Sequence, residues 1–307
     1  MIDRVGERNG QFIQVSKSSP EFPELTYADP GDPPLRRWLI RNLERLSGRD
    51  ALAPHYARWK TEVVPKGGRV IEPMLKLIDV ELEIVARDWP PKIEPGQPVV
   101  IVANHPYGIM DGIAALTLAE DLGRPFRVLI NKDLMKVPEI RPYSLPIDFD
   151  PTREAQATNL ATRKEAIRLL GQGTTIVVFP AGGVATAPNP LGYAVDLPWK
   201  SFVARLVQSV KATVIPVYFE GQCTPLFHAV SRLSLTLRLS LLIHEFRRKV
   251  GSSIVARIGL PVPFAALQNA KDRKALVQEL YNLVHAEAPR VPPKQARLPR
   301  WLRGETE

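Results

Sequence analysis

The sequence contains a single cysteine, Cys223, in a chain of 307 residues. An intramolecular disulfide needs two cysteines, so the fold cannot depend on one. Because no histidine lies beside Cys223 in the sequence, we expect a small buried apolar residue rather than a nucleophile. The chain also lacks a run of about 18 apolar residues, and residues 1–25 lack the apolar stretch of a secretory leader. We therefore expect no spanning helix and a cytoplasmic location.

Positive charge is in excess, since the net charge is +9 at pH 7 and the pI is near 9.7. The contents of 45% hydrophobic and 24% charged residues are typical of a globular protein. The positive excess favours an anionic partner, such as nucleic acid, a lipid surface or an acidic carrier protein. We find no zinc-finger spacing, no aromatic RNA-binding block and no phosphate-loop motif, and therefore expect no nucleic-acid partner.

Strand and helix patterns alternate between residues 97 and 260, which is typical of an α/β fold with a mostly parallel central sheet flanked by helices. We place this domain at residues 70–287. Residues 1–69 are expected to form an arm and a basic amphipathic helical extension, and residues 288–307 a basic tail. The segment 231–248 fits either a strand or a helix, because its leucines alternate but its length suits a helix.

One histidine and one aspartate lie on either side of a short loop in the stretch VVIVANHPYGIMDG (99–112). On a continuous helix, His105 and Asp111 would point about 120° apart and lie about 9 Å apart along the axis, so they would not meet. If a loop follows the strand instead, Pro106 and Gly108 can fold the chain back until the carboxylate reaches the imidazole. The carboxylate would then fix the tautomer and leave the other ring nitrogen as a base. The alternative is a histidine that only fills or caps a loop.

A second glycine-bearing loop follows another predicted strand, in the stretch VVFPAGGVATA (177–187). Pro180 ends the strand, and Gly182 and Gly183 would let backbone N–H groups approach a ligand closely. Ligands in open α/β sheets bind outside the carboxyl ends of the strands. We therefore expect the two loops to line one pocket.

The blocks NHPYGIMDG, FPAGG and VIPVYFEG, in this order, resemble the glycerophosphate and lysophospholipid acyltransferase (PlsC-like) family, in particular its soluble bacterial branch that is often labelled hemolysin. The resemblance extends over about residues 70–262, with further similarity in DLPWKSFVARL and RIGLPVP. It implies that His105 is the general base that activates the acceptor and that Asp111 orients it. It implies no covalent enzyme intermediate, no metal and no cofactor, with an acyl thioester as cosubstrate.

The resemblance also implies substrate-binding residues around this pair. The family's second block, INKDLMKVP in this chain, often supplies a basic residue for an acceptor phosphate or carboxylate. Lys132 is the first candidate for that role and Arg141 the second, although each is equally well explained as an exposed surface base. The expected substrate-binding set is Asn104, Gly108, Lys132, Arg141, Phe179, Pro180, Ala181, Gly182 and Gly183.

The chain departs from the wider family in two places. The wider family has four residues between its histidine and its aspartate, and this chain has five. The wider family's third block reads Phe-Pro-Glu-Gly, whereas no carboxylate lies between Phe179 and Gly183 here. A carboxylate in that block would help to order a polar acceptor such as glycerol 3-phosphate, and Asp196 and Glu220 are the candidate substitutes.

The resemblance therefore implies an acyltransferase of phospholipid metabolism, which moves a fatty acyl group from acyl-CoA or an acyl carrier protein to a hydroxyl or amine of a lipid-like acceptor. An acyl-thioester hydrolase and a noncatalytic lipid-binding protein with the same fold are the alternatives. Arginines accompany tryptophan in the predicted helix around Trp38 and in residues 288–303, and this combination suits an anionic headgroup interface. We therefore expect a peripheral protein on the inner face of the cell membrane.

Overall fold

The computed structural model describes residues 22–26, 28, 31, 33–46, 48–231, 235–267 and 270–289. The strands are β1 (Glu81–Ala86), β2 (Val99–Ala103), β3 (Phe126–Asn131), β4 (Ser144–Ile147), β5 (Thr175–Val178), β6 (Thr213–Phe219) and β7 (Ser253–Ile258). The α-helices are α1 (Pro34–Leu46), α2 (Arg49–Arg58), α3 (Glu72–Leu77), α4 (Ile109–Asp121), α5 (Arg153–Gly171), α6 (Phe202–Val210), α7 (Pro225–Val230), α8 (Leu235–Lys249) and α9 (Arg273–Ala286).

The strands form one sheet in the order β1-β7-β6-β2-β5-β3-β4. Every neighbouring pair is parallel except β6 and β7, which are antiparallel. In the middle of the sheet, Val100 of β2 is paired with Ile176 of β5 on one side and Val214 of β6 on the other. The expected α/β fold with a mostly parallel sheet is confirmed.

Two apolar cores cover the two faces of this sheet, which is why β2 is buried along its whole length. Val99 and Ile101 face the first core, where Met110 and Leu118 of α4 pack. Val100 and Val102 face the second core, which α5, α6 and α9 cover. Alternate residues of one strand therefore support helices on opposite sides of the sheet.

The N-terminal helices pack against the sheet domain. Helix α1 lies against α8, with Ile40 and Glu44 buried. After α2, the fully buried Trp59 donates its indole N–H to the carbonyl of Val70 at 2.6 Å. The helical extension is thus present, whereas the boundaries at residues 69 and 287 stay predictions. The predicted arm up to residue 21 and the predicted tail from residue 290 lie outside the described residues.

The structure resolves the ambiguous segment and adds a strand. The segment 231–248 contributes its residues from Leu235 onward to helix α8. Of the two alternatives, the helix is therefore correct and the strand is wrong. Strand β4 was not predicted; its sequence SLPI is short and contains a proline, which suits the edge of a sheet. Within the described ranges, no helix combines the length and the apolar character that crossing a bilayer would require.

Asn104 links two neighbouring strands at the carboxyl edge of the sheet, where β2 ends. Its Nδ2 donates to the carbonyl of Phe219 at 3.0 Å, and its Oδ1 accepts from the backbone N–H of Phe219 at 2.7 Å. Both bonds are buried and join the end of β2 to the end of β6. The amide of Asn104 is therefore engaged by the main chain, and its expected contact with substrate stays a prediction.

We predict that Asn104→Leu lowers the free energy of unfolding by about 2–4 kcal/mol, because it leaves a buried N–H and a buried C=O of Phe219 without partners. Urea unfolding measures this change. Asn282→Leu is the matched control, since Asn282 is exposed on α9 and, among the described residues, its side chain bonds only Gln278; we expect a change within about 0.5 kcal/mol. Equal effects of the two variants would contradict the bridging role.

Candidate active site

The loop after β2 places the histidine and the aspartate together. Gly108 has a φ of +79°, and a Cβ there would lie 2.9 Å from Leu242 Cδ2 and 3.0 Å from Val184 Cγ2. The positive φ favours glycine at this position, and a Cβ there would also require the end of the Leu242 side chain to shift. The chain turns sharply at this residue into α4, and Asp111 falls in the first turn of that helix.

The predicted contact between the two side chains is present. His105 Nδ1 lies 2.9 Å from Asp111 Oδ1, in an arrangement too bent for a well-aligned hydrogen bond. Asp111 is fully buried, and its Oδ2 accepts from the backbone N–H of Tyr107 at 2.7 Å. A carboxylate beside Nδ1 favours the proton on that nitrogen, so Nε2 is the nitrogen left to act as a base.

The loop after β5 lies against the imidazole, as the second glycine-bearing block predicted. The ring of Phe179 stacks on His105 with centroids 4.2 Å apart and an interplanar angle of 29°. The backbone N–H of Ala185 donates to the carbonyl of His105 at 2.7 Å. The two loops therefore meet at the carboxyl edge of the sheet, and a shared ligand pocket stays a prediction.

The two glycines of this loop differ from each other. Gly182 has a φ of +67°, and its N–H donates to the carbonyl of Phe179 at 2.9 Å, so this amide closes a turn instead of facing a ligand. The N–H of Gly183 has no hydrogen-bond partner among the described residues. Pro180 and Ala181 are buried. The expected approach of a glycine amide to a ligand therefore stays a prediction for Gly183 and does not fit Gly182.

Asp196 brings a carboxylate to the site from outside the loop. Its Oδ1 accepts from the backbone N–H of His105 at 3.2 Å, and its Oδ2 accepts from the indole N–H of Trp199 at 2.9 Å. Burial raises the pKa of Asp196. The other candidate substitute, Glu220, forms an ion pair with Arg257. Of the two carboxylates, Asp196 is the one that contacts the histidine.

The two expected anion-binding residues have other partners. Lys132 Nζ lies 2.5 Å from Asp150 Oδ2 and 2.9 Å from Asp148 Oδ1, and these carboxylates raise the pKa of the lysine. Arg141 donates from Nε to the carbonyl of Met135 at 2.7 Å. Neither cation contacts His105 in the described part of the chain, and their roles in acceptor binding stay predictions.

Cys223 is buried, as expected, and its thiol donates to the carbonyl of Pro106 at 3.3 Å. Burial raises the pKa of this thiol, so the thiolate needed for nucleophilic attack is disfavoured. Across the described ranges, no group of three or more His, Cys, Asp and Glu side chains could hold a metal ion. The expectation that no metal or cofactor is needed stays a prediction.

Comparison with known proteins points to one family. A family model described as acyltransferase matches residues 87–282, which is more than half of the chain. Among solved structures, the chain is similar to the 1-acyl-sn-glycerophosphate (LPA) acyltransferase PlsC from Thermotoga maritima, at 15% sequence identity and a TM-score of 0.45. That match covers 82% of this chain and 96% of the other. The comparison with curated proteins found no match.

The raised pKa of Asp196 predicts a pH effect on stability. Since burial favours the protonated form, the folded protein keeps this proton at pH values just above 3.8, where the unfolded chain has released it. The resulting stabilisation is present at low pH and is lost as pH rises through the folded-state pKa. Asp196→Asn removes the titration. We therefore expect the free energy of unfolding of the wild type to increase relative to that of the variant as the pH falls from about 7 to about 4.

Urea unfolding of both proteins across this pH range measures the difference. If the wild type loses stability relative to Asp196→Asn on acidification, the hydrogen bonds to the carboxylate outweigh its burial, and the assigned direction of the pKa shift is wrong.

Proposed function

The chain belongs to the acyltransferase family, and from this premise we propose that it moves a fatty acyl group from a thioester to a hydroxyl or amine of a lipid-like acceptor, with His105 as the general base. The observation that carries this proposal is the 2.9 Å contact between His105 Nδ1 and the buried Asp111 carboxylate. This contact leaves Nε2 as the basic nitrogen of a partly exposed ring at the carboxyl edge of the sheet.

In the proposed reaction, Nε2 of His105 takes the proton from the acceptor hydroxyl while the acceptor oxygen attacks the thioester carbonyl carbon. The new C–O bond pushes the carbonyl electrons onto oxygen, and we assign the N–H of Gly183, unpaired among the described residues, as a candidate donor for this oxyanion. The intermediate collapses as the C–S bond breaks, and the leaving thiolate takes the proton from Nε2. The products are the acylated acceptor and the free thiol.

Asp111 and Phe179 hold the imidazole during these steps. The carboxylate stabilises the imidazolium that forms when Nε2 is protonated. The stacked Phe179 ring covers one face of the imidazole, which limits rotation of the ring away from the attacking acceptor. Hydrolysis uses the same groups with water as the acceptor, so acceptor dependence of thiol release separates transfer from hydrolysis.

We predict that His105→Ala lowers acceptor-dependent thiol release by about 10²–10⁴-fold, which is the usual contribution of a positioned general base. Cys223→Ser and His244→Ala are the controls and are expected to retain near-normal rates, because no contact of His105 in the described part of the chain involves either side chain. A thiol-release assay with a lysophospholipid acceptor measures the rates, and circular dichroism shows whether each variant folds. Near-normal release by folded His105→Ala would overturn the assignment of the base.

The lipid acceptor also motivates a proposed position at a membrane surface. On α1, Leu35 is 76% exposed and Trp38 is 61% exposed, and Arg41 and Arg45 are exposed on the same side of the helix. Ile40 and Glu44 face inward instead. Trp38 therefore does not pack into the core, and an exposed tryptophan among arginines suits an anionic lipid interface.

We predict that the protein sediments with anionic vesicles and less with neutral ones, and that the bound fraction falls as salt shortens the Debye length from about 10 Å at 0.1 M to about 3 Å at 1 M. Leu35→Ser/Trp38→Ser and removal of residues 288–307 should each reduce binding. Leu160→Ser/Leu260→Ser is the matched control, since both leucines are exposed elsewhere. Equal, salt-independent binding to both vesicle types would exclude electrostatic docking.

A further inference from the structure

Helix α8 sends one arginine side chain to the loop after β5. Nη2 of Arg238 donates to the carbonyl of Val184 at 2.6 Å. The same nitrogen lies 3.5 Å from the position that a Cβ would take at Gly183. The guanidinium therefore contacts this loop at Gly183 and Val184, although 54 positions of sequence separate Arg238 from Val184.

The guanidinium of Arg238 has no carboxylate to neutralise it. Arg238 is half-buried, and no ion pair in the described part of the chain includes it. Its Cζ lies 5.8 Å from the ring centroid of the fully buried Phe227. Burial lowers the pKa of the guanidinium, because loss of water disfavours the charged form. Burying a cation is costly, so the charged hydrogen bond to Val184 is the contact that offsets this cost.

The carbonyl that Arg238 holds belongs to the same peptide group as the N–H of Ala185. That N–H donates to the carbonyl of His105 at 2.7 Å. A charged donor on the oxygen of a peptide group polarises the group, which strengthens the bond that its N–H donates. Arg238 is thus linked to the backbone of His105 through a single peptide group.

The other backbone group of His105 is held by a charged side chain of opposite sign. Oδ1 of Asp196 accepts from the N–H of His105 at 3.2 Å, and Oδ2 accepts from the indole N–H of Trp199 at 2.9 Å. The N–H of His105 therefore faces an anion, and its carbonyl faces a peptide group that a cation polarises. Both charged side chains come from outside the loop that carries the imidazole.

We propose that Arg238 is a positioning residue for acyl transfer, which holds His105 in place through the peptide group after Val184; this inference rests on the acyl transfer proposed above. Fixing the carbonyl of His105 fixes the start of the loop after β2, and with it the direction from which Nε2 meets the acceptor. A misplacement of about 1 Å at a reacting group lowers a rate by about 10²-fold, so a bond that is remote from the chemistry affects turnover.

Amide hydrogen exchange, measured by NMR, tests this link without turnover. Arg238→Met removes the donor and keeps an apolar side chain beside Phe227. We expect the N–H of Ala185 to exchange at least about tenfold faster in this variant than in the wild type, because the charged hydrogen bond on its peptide group is lost. The N–H of Phe219, which Asn104 holds at the same edge of the sheet, should keep its exchange rate.

Arg248→Met is the matched control, since Arg248 is exposed and lies near the end of the same helix. Both N–H groups should exchange in this variant as they do in the wild type. Unchanged exchange at Ala185 in Arg238→Met would overturn the link. Equal acceleration at Ala185 and Phe219 would overturn it as well, because Arg238 would then stabilise the whole fold and not the contact with His105.

Kinetics provide the second readout. In Arg238→Met, kcat for acyl transfer should fall about 10–100-fold while KM for the thioester and for the acceptor stays unchanged, and Arg248→Met should keep both constants. Hydrolysis of the same thioester should slow by the same factor, because a displaced imidazole acts less well on every acceptor, water included. Arg238→Lys keeps a cationic donor, so we expect a smaller loss of kcat; this variant also provides the test if Arg238→Met does not fold.

The outcomes separate this inference from the proposed function. A rise in KM for an anionic acceptor with kcat unchanged would overturn the inference, because Arg238 would then contact the acceptor without positioning the base. Normal kcat in folded Arg238→Met would support the function and overturn the positioning role. Faster exchange at Ala185, in a protein whose wild type transfers no acyl group, would support the link to His105 and contradict the function.

Discussion

The buried carboxylate of Asp111 organises the loop on which the candidate site depends. One oxygen accepts from the backbone of Tyr107 and the other lies beside His105 Nδ1. A fully buried carboxylate is costly unless its oxygens have partners, so the fold of this loop and the position of the imidazole depend on each other. The same residue that stabilises the turn into α4 therefore sets which ring nitrogen is free for chemistry.

This arrangement works only because the parallel sheet brings several loops to one edge. The strands β2, β5 and β6 are neighbours, so the loops after them emerge side by side. Asn104 joins the ends of β2 and β6, and the bond from Ala185 to His105 joins the loops after β2 and β5. The position of His105, which follows β2, therefore also depends on contacts with β6 and with the loop after β5.

Local patterns in the sequence were enough to predict the elements nearest to the site. The strand β2, the turn at Gly108 and the helix after it have short-range signals, so the contact between His105 and Asp111 could be predicted. Asp196 lies 91 residues from His105, and no periodicity or spacing links the two. From the sequence, Asp196 could be named only as one of two candidates to replace the carboxylate that the loop after β5 lacks.

Other features depended on tertiary contacts that the sequence does not reveal. The alternating leucines after residue 232 favoured a strand as much as a helix, and packing of α8 against α1, α4 and α7 accompanies the helical outcome. The neutralisation of Lys132 depends on Asp148 and Asp150, which follow a different strand. A lysine in a matching block therefore looked available for an anion, although two carboxylates already surround it.

The position of Asp196 bears on how an acceptor can be held. Both of its oxygens are used, one by the backbone of His105 and one by Trp199, so this carboxylate orders the histidine more directly than it could order a hydroxylated acceptor. With Lys132 also engaged by aspartates, the cations beside the loop after β5 are Lys200, near Gly182, and Arg238, whose guanidinium donates to the carbonyl of Val184 at 2.6 Å. Under the proposed function, a charged group of the acceptor would therefore meet these two side chains more readily than Lys132.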